Sequence, residues 1–486
     1  MGKLFPILNV LGAVLMLFSA TFLLPFVTAL WYDDQADEWA FIKAMLITFG
    51  CGFMLWLATR RFKRELKARD GFLLVTLVWT GIAAFATLPL LSEIPGLTFT
   101  DAYFEAMSGI STTGATVLVG LDNLPHGLNL WRHQLNWMGG MGIIVLAVAI
   151  LPLLGVGGRE LYKAETPGPM KDSQLTPRIT ETAKNLWLVY LGITIACVVA
   201  LKWAGMSWFD AVCHAFSAMG LGGFSTHDAS VGFFNSPAIE FVLIFFMLLA
   251  GMNFATHFLV WRGKSFQPYR HDSEARVFLL LVLGSCLGIA AYLYAMGTYD
   301  NFWTALRHAS FNLVSIATDC GFASVDFNQW PIFAPLWMLF LSCISVSSGS
   351  TGGGIKMIRT LIVIKQGWRE MQHLLHPQGI FPIKVGGAVI ANKVVFSVQG
   401  FIFLYFYSVI GLSFVLMASG MDFISAFSAV IACINNAGPG LNQVGPAGNY
   451  QGLNDFQTWV CTFTMLLGRL ELMTLLIIVT PAFWRK

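Results

Sequence analysis

The chain has 486 residues, of which 56% are hydrophobic and only 11% charged, against about 25% charged in an ordinary soluble domain. Its formal net charge is just +3. So little polar surface excludes a soluble globular protein of this length, gives no basic face for nucleic acid, and makes lipid the principal solvent.

Ten apolar runs of membrane-crossing length follow one another, at roughly 5–31, 39–59, 71–92, 135–154, 185–205, 239–261, 277–297, 332–366, 394–417 and 459–481. The first is too long for the apolar core of a signal peptide and has no small-residue cleavage site, so it is read as a span. An even number of spans puts both termini on one side. The basic residues choose that side. Of the 29 Lys and Arg, 24 fall at the termini or in alternate loops, Arg132, Lys202 and Arg307 fall on the opposite side, and Lys43 and Arg469 lie within spans, which makes both termini cytoplasmic. The eight cysteines are scattered without a C-x-x-C pair and read as small buried apolar residues. The nine histidines form no metal signature, and His373 and His376 are assigned to a solvated loop.

The loops on the outer side repeat one unit four times: an apolar run, a short amphipathic segment, a glycine-bearing turn and a second apolar run. The tips of these units, numbered 1 to 4 in chain order, are DAYFEAMSGISTTGAT (101–116), DAVCHAFSAMGLGGFST (210–226), ALRHASFNLVSIATDCGFAS (305–324) and DFISAFSAVIACINNAGPG (422–440). Asp101 precedes Gly114, and Asp210 precedes Gly223, by the same interval of thirteen residues; Gly321 and Gly438 hold the corresponding place after segments read as one turn longer. These segments are too short to cross a bilayer and suit re-entrant helices. The non-helical chain that follows is tolerated at membrane depth only where it is buried in protein or lines water. Four such stretches around one axis would ring a hole with carbonyl oxygens, the glycines supplying the backbone angles that turn them inward.

The segment SVSSGSTGGGIKMIRT (345–360) has the glycine spacing of a phosphate-binding loop, Gly349 to Gly354, but Ile355 stands where its lysine belongs. Lys356 comes one residue late, Met357 replaces the magnesium-binding hydroxyl, and no strand precedes the segment, so the phosphate reading fails. The run lies within the second apolar run of the third unit. Glycine there costs about 1 kcal/mol per helical position relative to alanine, so the run breaks the helix beneath the ring. Equivalent places in the other units, WMGGMGIIV (137–145), the stretch from Ala250 to Phe258, and LLGRLELMTLL (466–476), hold a glycine within what read as continuous helices. Arg469, in the middle of an apolar run, must face a polar interior; Glu471, two residues on, points elsewhere around a continuous helix.

At these four glycine-centred tips the sequence resembles the superfamily of cation transporters that comprises Trk, Ktr and plant HKT proteins, over about 69–486. The two spans before the first unit are similar to TrkH-type members and unlike KtrB-type ones. The resemblance implies an all-α polytopic membrane protein of the bacterial inner membrane with four M1–pore-loop–M2 repeats in pseudo-fourfold arrangement. The units become 1–69 (two extra helices and a basic loop), 70–158, 159–264, 265–370 (with an intramembrane gate loop) and 371–486. It implies a K+ filter made of Thr112, Thr113 and Gly114; Gly220, Leu221, Gly222 and Gly223; Thr318, Asp319, Cys320 and Gly321; and Asn435, Asn436, Ala437 and Gly438. Serine at the first of these glycines accompanies sodium transport in plant relatives, so four glycines favour potassium. The tips depart from a uniform T-V-G-Y-G, which bears on K+ over Na+ selection, and Asp319 adds a negative charge to the cation path. The implied gate comprises Ser345, Ser347, Ser348, Gly349, Ser350, Thr351, Gly352, Gly353, Gly354 and Lys356, together with Arg469. A homodimer with one pore per protomer and a cytosolic TrkA-like ring responsive to ATP, ADP or NAD are the implied partners. The basic, apolar-bearing segments 155–184 and 367–393 would dock that ring or contact anionic lipid. This chain carries no nucleotide domain of its own.

Two other classes compete. A membrane enzyme needs titratable groups clustered at one depth, and here they are dispersed. A proton- or sodium-coupled K+ symporter favours inverted repeats with buried acids, whereas these four units start on the same side, although Asp319 and Glu471 could serve proton coupling. A less selective, KtrB-like K+/Na+ subunit is the variant nearest to the main reading.

Overall fold

The structure, a computed structural model, describes residues 4–62, 66–142 and 179–485. Among the described residues the regular structure is helical apart from one hairpin of two-residue strands. Two N-terminal helices, α1 (Phe5–Ser19) and α2 (Leu23–Tyr32), form one nearly continuous span and are followed by α3 (Gln35–Thr59). Backbones of α1 and α3 touch: a methyl group on Gly12 would lie 2.7 Å from the Gly52 carbonyl oxygen, and one on Gly52 would lie 2.8 Å from that of Gly12. Small residues that admit such close approach take the place of the hydrophobic drive that lipid removes.

The first unit comprises α4 (Ala68–Glu93), tip helix α5 (Phe99–Ile110) and α6 (His126–Met141). The second comprises α7 (Ile179–Trp203), tip helix α8 (Trp208–Gly220), α9 (Pro237–Ala250) and α10 (Phe254–Gly263), followed by the short α11 (Gln267–His271). The third runs through α12 (Ser273–Ala295), tip helix α13 (Phe302–Ala317), α14 (Phe333–Ile344) and α15 (Met357–Leu375). After the hairpin of β1 (Lys384–Val385) and β2 (Ala388–Val389), the fourth holds α16 (Asn392–Ala418), tip helix α17 (Phe423–Asn435), α18 (Asp455–Arg469), α19 (Leu472–Val479) and the short α20 (Pro481–Trp484). Among the described residues, six helices are long and apolar enough to cross a membrane, or up to eight if each of two bent helix pairs is one span. Their outward faces carry large apolar side chains such as Leu280, Phe403 and Phe414, as a lipid solvent requires.

Several sequence expectations need correction. The runs 239–261 and 459–481 are not single helices: α9 and α10 meet at 94°, and α18 and α19 at 117°. The run 332–366 is two helices separated by an irregular loop. Second helices therefore break in units 2, 3 and 4, not in unit 3 alone, and in unit 1 α6 ends at Met141, with 143–178 outside the described residues. The later part of the run 135–154 and most of segment 155–184 fall in that stretch. The fourth tip helix is not a turn longer than the first two, which have 12 and 13 residues. Its 13 residues match α8, and only α13, at 16, carries an extra turn. Asp422 is the N-cap of its helix, whereas Asp101 and Asp210 lie three positions after theirs, which widens the Asp-to-Gly interval without adding a turn. His373 lies in α15 and His376 caps it. In segment 367–393 the hairpin tucks Ile383, Val385 and Ile390 into a small core with Ile358 and Ile362, so these apolar residues are not on the surface.

Candidate functional site: a ring of backbone turns above a braced loop

Each tip helix starts on a polar side chain that accepts a backbone N–H: Thr98 from Asp101, Ser207 from Asp210, Asn301 from Trp303 and Asp422 from Ser425. Each ends in the same way. The N–H of Thr112, Leu221, Asp319 and Asn436 donates three residues back, at 3.0–3.2 Å. The next N–H, of Thr113, Gly222, Cys320 and Ala437, donates five residues back, at 2.8–2.9 Å. This is a Schellman termination, and as it demands, Thr112, Leu221, Asp319 and Asn436 are left-handed, with φ of 57°, 54°, 64° and 58°. Two residues later Gly114, Gly223, Gly321 and Gly438 are left-handed as well, at 77°, 64°, 92° and 84°. The helix ends thus consume the N–H groups and leave the carbonyls that follow free to face elsewhere.

Those carbonyls face the neighbouring tip. A methyl group added to Gly114 would overlap the Gly222 carbonyl oxygen, one on Gly223 that of Cys320, and one on Gly321 that of Ala437. One on Gly438 would lie 2.7 Å from the Thr113 carbonyl oxygen, which closes the circuit. The structure thus brings all four glycines together in the order 114, 223, 321, 438. A cavity on their far side is lined by residues of all four tips, among them Thr116, His227, Ala323 and Tyr450.

Side chains hold the ring from behind. The Asn436 amide donates to Thr113 Oγ1 (2.9 Å) and to the Met465 carbonyl (3.1 Å). Asn435 donates to Ser342 (2.9 Å) and accepts from Tyr405 (2.7 Å), and Thr318 caps its own helix through the Val314 carbonyl at 2.7 Å. Gly220 admits no methyl group because the Asn136 carbonyl occupies the space. Asp319 is fully buried, and neither of its carboxylate oxygens has a geometric hydrogen-bond partner. Sequence reasoning missed Glu105 and Arg132. Arg132, counted with the outer-side charges, is instead 1% exposed within α6 and pairs with Glu105 at 2.8 Å. Glu105 also accepts from Val117 N at 3.1 Å and from Thr116 Oγ1 at 3.0 Å, fixing the chain just past Gly114. A lone glutamate in an otherwise apolar tip segment was the available signal.

Beneath the ring runs the loop 345–356. One edge is sewn to the break between α9 and α10: Ser347 N donates to the Gly251 carbonyl (3.0 Å), Thr351 N to that of Ala250 (3.3 Å), and Phe254 N to that of Gly349 (3.1 Å). Ser348 N donates to Glu274 at 2.8 Å, and Ser350 N turns back to the Ser347 carbonyl at 3.2 Å. The loop also presses upward. Ser345 donates to the Ala317 carbonyl (2.8 Å) and Thr351 Oγ1 to that of Met219 (3.0 Å). A methyl group on Gly353 would overlap the Asn435 carbonyl oxygen, and one on Gly352 would sit 2.9 Å from that of Thr318. Gly354 and Lys356 are left-handed, and the buried Lys356 ammonium donates to the Gly352 carbonyl within the loop. The hydroxyls of Ser347 and Ser350 are buried without a partner.

Arg469 reaches the opposite edge. Its guanidinium donates to the Thr351 carbonyl (3.0 Å), to Thr112 Oγ1 (3.3 Å) and to the Gly139 and Gly140 carbonyls, the latter at 3.2 Å. One side chain therefore joins the ring, the loop and the end of α6. Glu471 does not sit on a continuous helix, as the sequence suggested. The chain breaks there (φ 55°) and Glu471 pairs with Arg359 at 3.0 Å.

Residues 38–486 match the TrkH family, described as cation transport proteins. The chain is 47% identical over 483 residues to the Trk system potassium uptake protein TrkH of Vibrio parahaemolyticus, and 46% identical over 481 residues to that of Salmonella typhimurium, with 99% of each chain covered in both cases. Its structure resembles the crystal structure of the potassium transporter TrkH from Vibrio parahaemolyticus with a TM-score of 0.89 at 45% identity, over 99% of this chain and 100% of that one. The family match over most of the chain and the full-length relatives agree with the helical architecture and the four meeting tips: the chain belongs to the TrkH family of cation transport proteins.

Proposed function

We propose that this chain is the membrane subunit of a potassium uptake system, in which K+ passes through the ring of tips and is gated by the loop beneath it. The observation that carries this reading is the fourfold recurrence of one backbone turn, left-handed at two positions and with its N–H groups already spent on helix capping. Such turns offer preformed carbonyl oxygens to a dehydrated cation. Four helix C-termini ending at the ring add their negative dipole ends. The names of the relatives supply the ion. The stretches 70–158, 159–264, 265–370 and 371–486 act as four pore repeats, with 1–69 as an added helical buttress.

The loop 345–356 crosses under the ring and is braced from both edges, so cation passage requires it to move. Arg469 opposes cations by charge and holds the loop through Thr351. Partnerless hydroxyls at Ser347 and Ser350 suit a path that fills with water once the loop shifts. A TrkA-type nucleotide-binding partner on the basic cytoplasmic side supplies regulation, and the chain works as a homodimer in the bacterial inner membrane with both termini inside. Both statements rest on charge segregation and resemblance.

Potassium-limited growth of a bacterium lacking its own K+ uptake tests the function. Expression of this chain with a TrkA-type partner should restore growth, and failure at normal membrane levels would reject the reading. Asp319, a buried acid in the cation path, keeps proton-coupled symport as a second reading. Vesicles given a pH gradient without a K+ gradient decide between them: uphill K+ accumulation means coupling, its absence a gated pore.

A further inference from the structure

The chain segments that follow the four glycines are stitched to one another around the mouth of the ring. Between tips 2 and 3, Ala323 N donates to Ser230 Oγ at 3.2 Å; between 3 and 4, Asn442 N donates to Asn328 at 2.9 Å; between 4 and 1, Tyr450 N donates to the Thr116 carbonyl at 2.8 Å. These seams use neutral groups. The seam between tips 1 and 2 is built from charge. Asp228 accepts from Gly120 N (2.9 Å) and Leu121 N (3.1 Å) of the neighbouring tip, and Asp122 reciprocates by accepting from Asp228 N at 3.2 Å. His227 sits at the crossing, with Nδ1 2.5 Å from Asp122 and Nε2 3.5 Å from Asp210. Its ring lies flat on Phe233, with centroids 3.5 Å apart, and both His227 and Asp228 line the cavity above the glycines.

We propose that His227, clasped between Asp122 and Asp210, is a proton-responsive element at the mouth of the pore that lowers cation capture as the outer solution acidifies. The inference rests on the proposed pore function and on the tips facing outward. The protonated ring engages both carboxylates and cancels part of the negative charge of Asp122, Asp210 and Asp228. The neutral ring has a single N–H, so one carboxylate is released and the mouth becomes more negative by one charge. Groups facing the ring are Asp122 from the first tip, Asp210 and His214 from α8, and neighbouring Asp228. His214 is turned away, its nitrogens on the Asp210 carbonyl (2.9 Å) and Ser225 (3.0 Å). Burial pulls the His227 pKa down, but the hydrogen bonds and charges of Asp210 and Asp122 outweigh it and leave the pKa raised.

The test is K+ uptake at subsaturating concentration into vesicles holding the full chain, with inner pH clamped and outer pH stepped from about 5.5 to about 8.5 across the histidine range. Removing one positive charge from the lining of the mouth should raise capture about two- to fourfold, read as a fall in apparent KM. His227→Gln should be flat at the high-pH value of the unmodified protein, and Asp122→Asn should move the midpoint to lower pH. A flat profile in the unmodified protein, or an unaltered profile in His227→Gln, overturns the clasp. If His227→Gln is not produced, an unshifted midpoint in Asp122→Asn overturns it as well. Vesicles that pass no K+ at any pH would overturn the pore reading, and the clasp with it.

Discussion

Replacing Arg469 with alanine isolates what holds the loop in place. The guanidinium donates to the Thr351 carbonyl at 3.0 Å, to Thr112 at 3.3 Å, and to two carbonyls at the end of α6. A hydrogen bond to a charged group contributes about 1.5–3 kcal/mol, so losing the Thr351 bond alone shifts the balance toward a displaced loop by about 2 kcal/mol, or roughly thirtyfold. The opposite edge limits the gain, because Ser347, Ser348 and Gly349 keep their bonds to Gly251, Glu274 and Phe254. Rubidium tracer flux into vesicles without a regulatory partner should therefore rise about tenfold or more in Arg469→Ala. Arg469→Lys, a point charge that cannot fork between the loop and α6, should fall between the two. A deletion within Gly349–Gly354 should raise flux too, since it removes the barrier itself. Flux unchanged in Arg469→Ala and in the deletion, at matched protein insertion, would refute the gate.

The remaining predictions concern the ring and its supports. Gly321→Ala forces a methyl group onto the Ala437 carbonyl and 3.0 Å from Pro439 at a φ of 92°. The left-handed cost alone is about 1–2 kcal/mol, and sodium should compete with rubidium uptake far better than in the unmodified protein; an unchanged inhibition ratio would count against the carbonyl ring. Arg132→Ala leaves Glu105 charged and buried, and should cost about 3–5 kcal/mol in detergent unfolding, while the double change Arg132→Met with Glu105→Gln should recover much of it. The raised His227 pKa implies that its stabilising contribution is full below the ordinary histidine value and fades as pH rises through the raised one. The Tm difference between the unmodified protein and His227→Gln should accordingly shrink from about pH 6 to about pH 9; a pH-independent difference would contradict the sign.

Six of the ten spans were legible in the sequence as single helices because lipid leaves little choice of side chain for a helix surface, and the tips because glycine recurs at one place in each unit. What escaped was long-range or conformational. Gly251 and Gly468, single glycines in apolar runs, gave no sign that helices bend by 94° and 117° beside them, since hydropathy is blind to direction. The Schellman turns fall at Thr112, Leu221, Asp319 and Asn436, and only asparagine and aspartate hint at a left-handed residue. Arg132 looked like an outer charge because its partner Glu105 lies 27 positions away. Loop and arginine could each be picked out, one by composition and the other by cost in lipid, but their bond through Thr351 joins positions 118 apart. No local pattern encodes it.

All four corners of the ring come from a single polypeptide, and this frees them from being alike. In an assembly of identical subunits any substitution appears at every corner at once, so a carboxylate or a guanidinium can be added only in multiples. Here one quadrant carries Asp319 while the others hold Thr112, Leu221 and Asn436, and Arg469 leans in from one wall alone. Under the proposed pore function, an ion crossing the ring would meet surroundings that differ from corner to corner. Each corner can be substituted by mutation without the same substitution appearing at the other three.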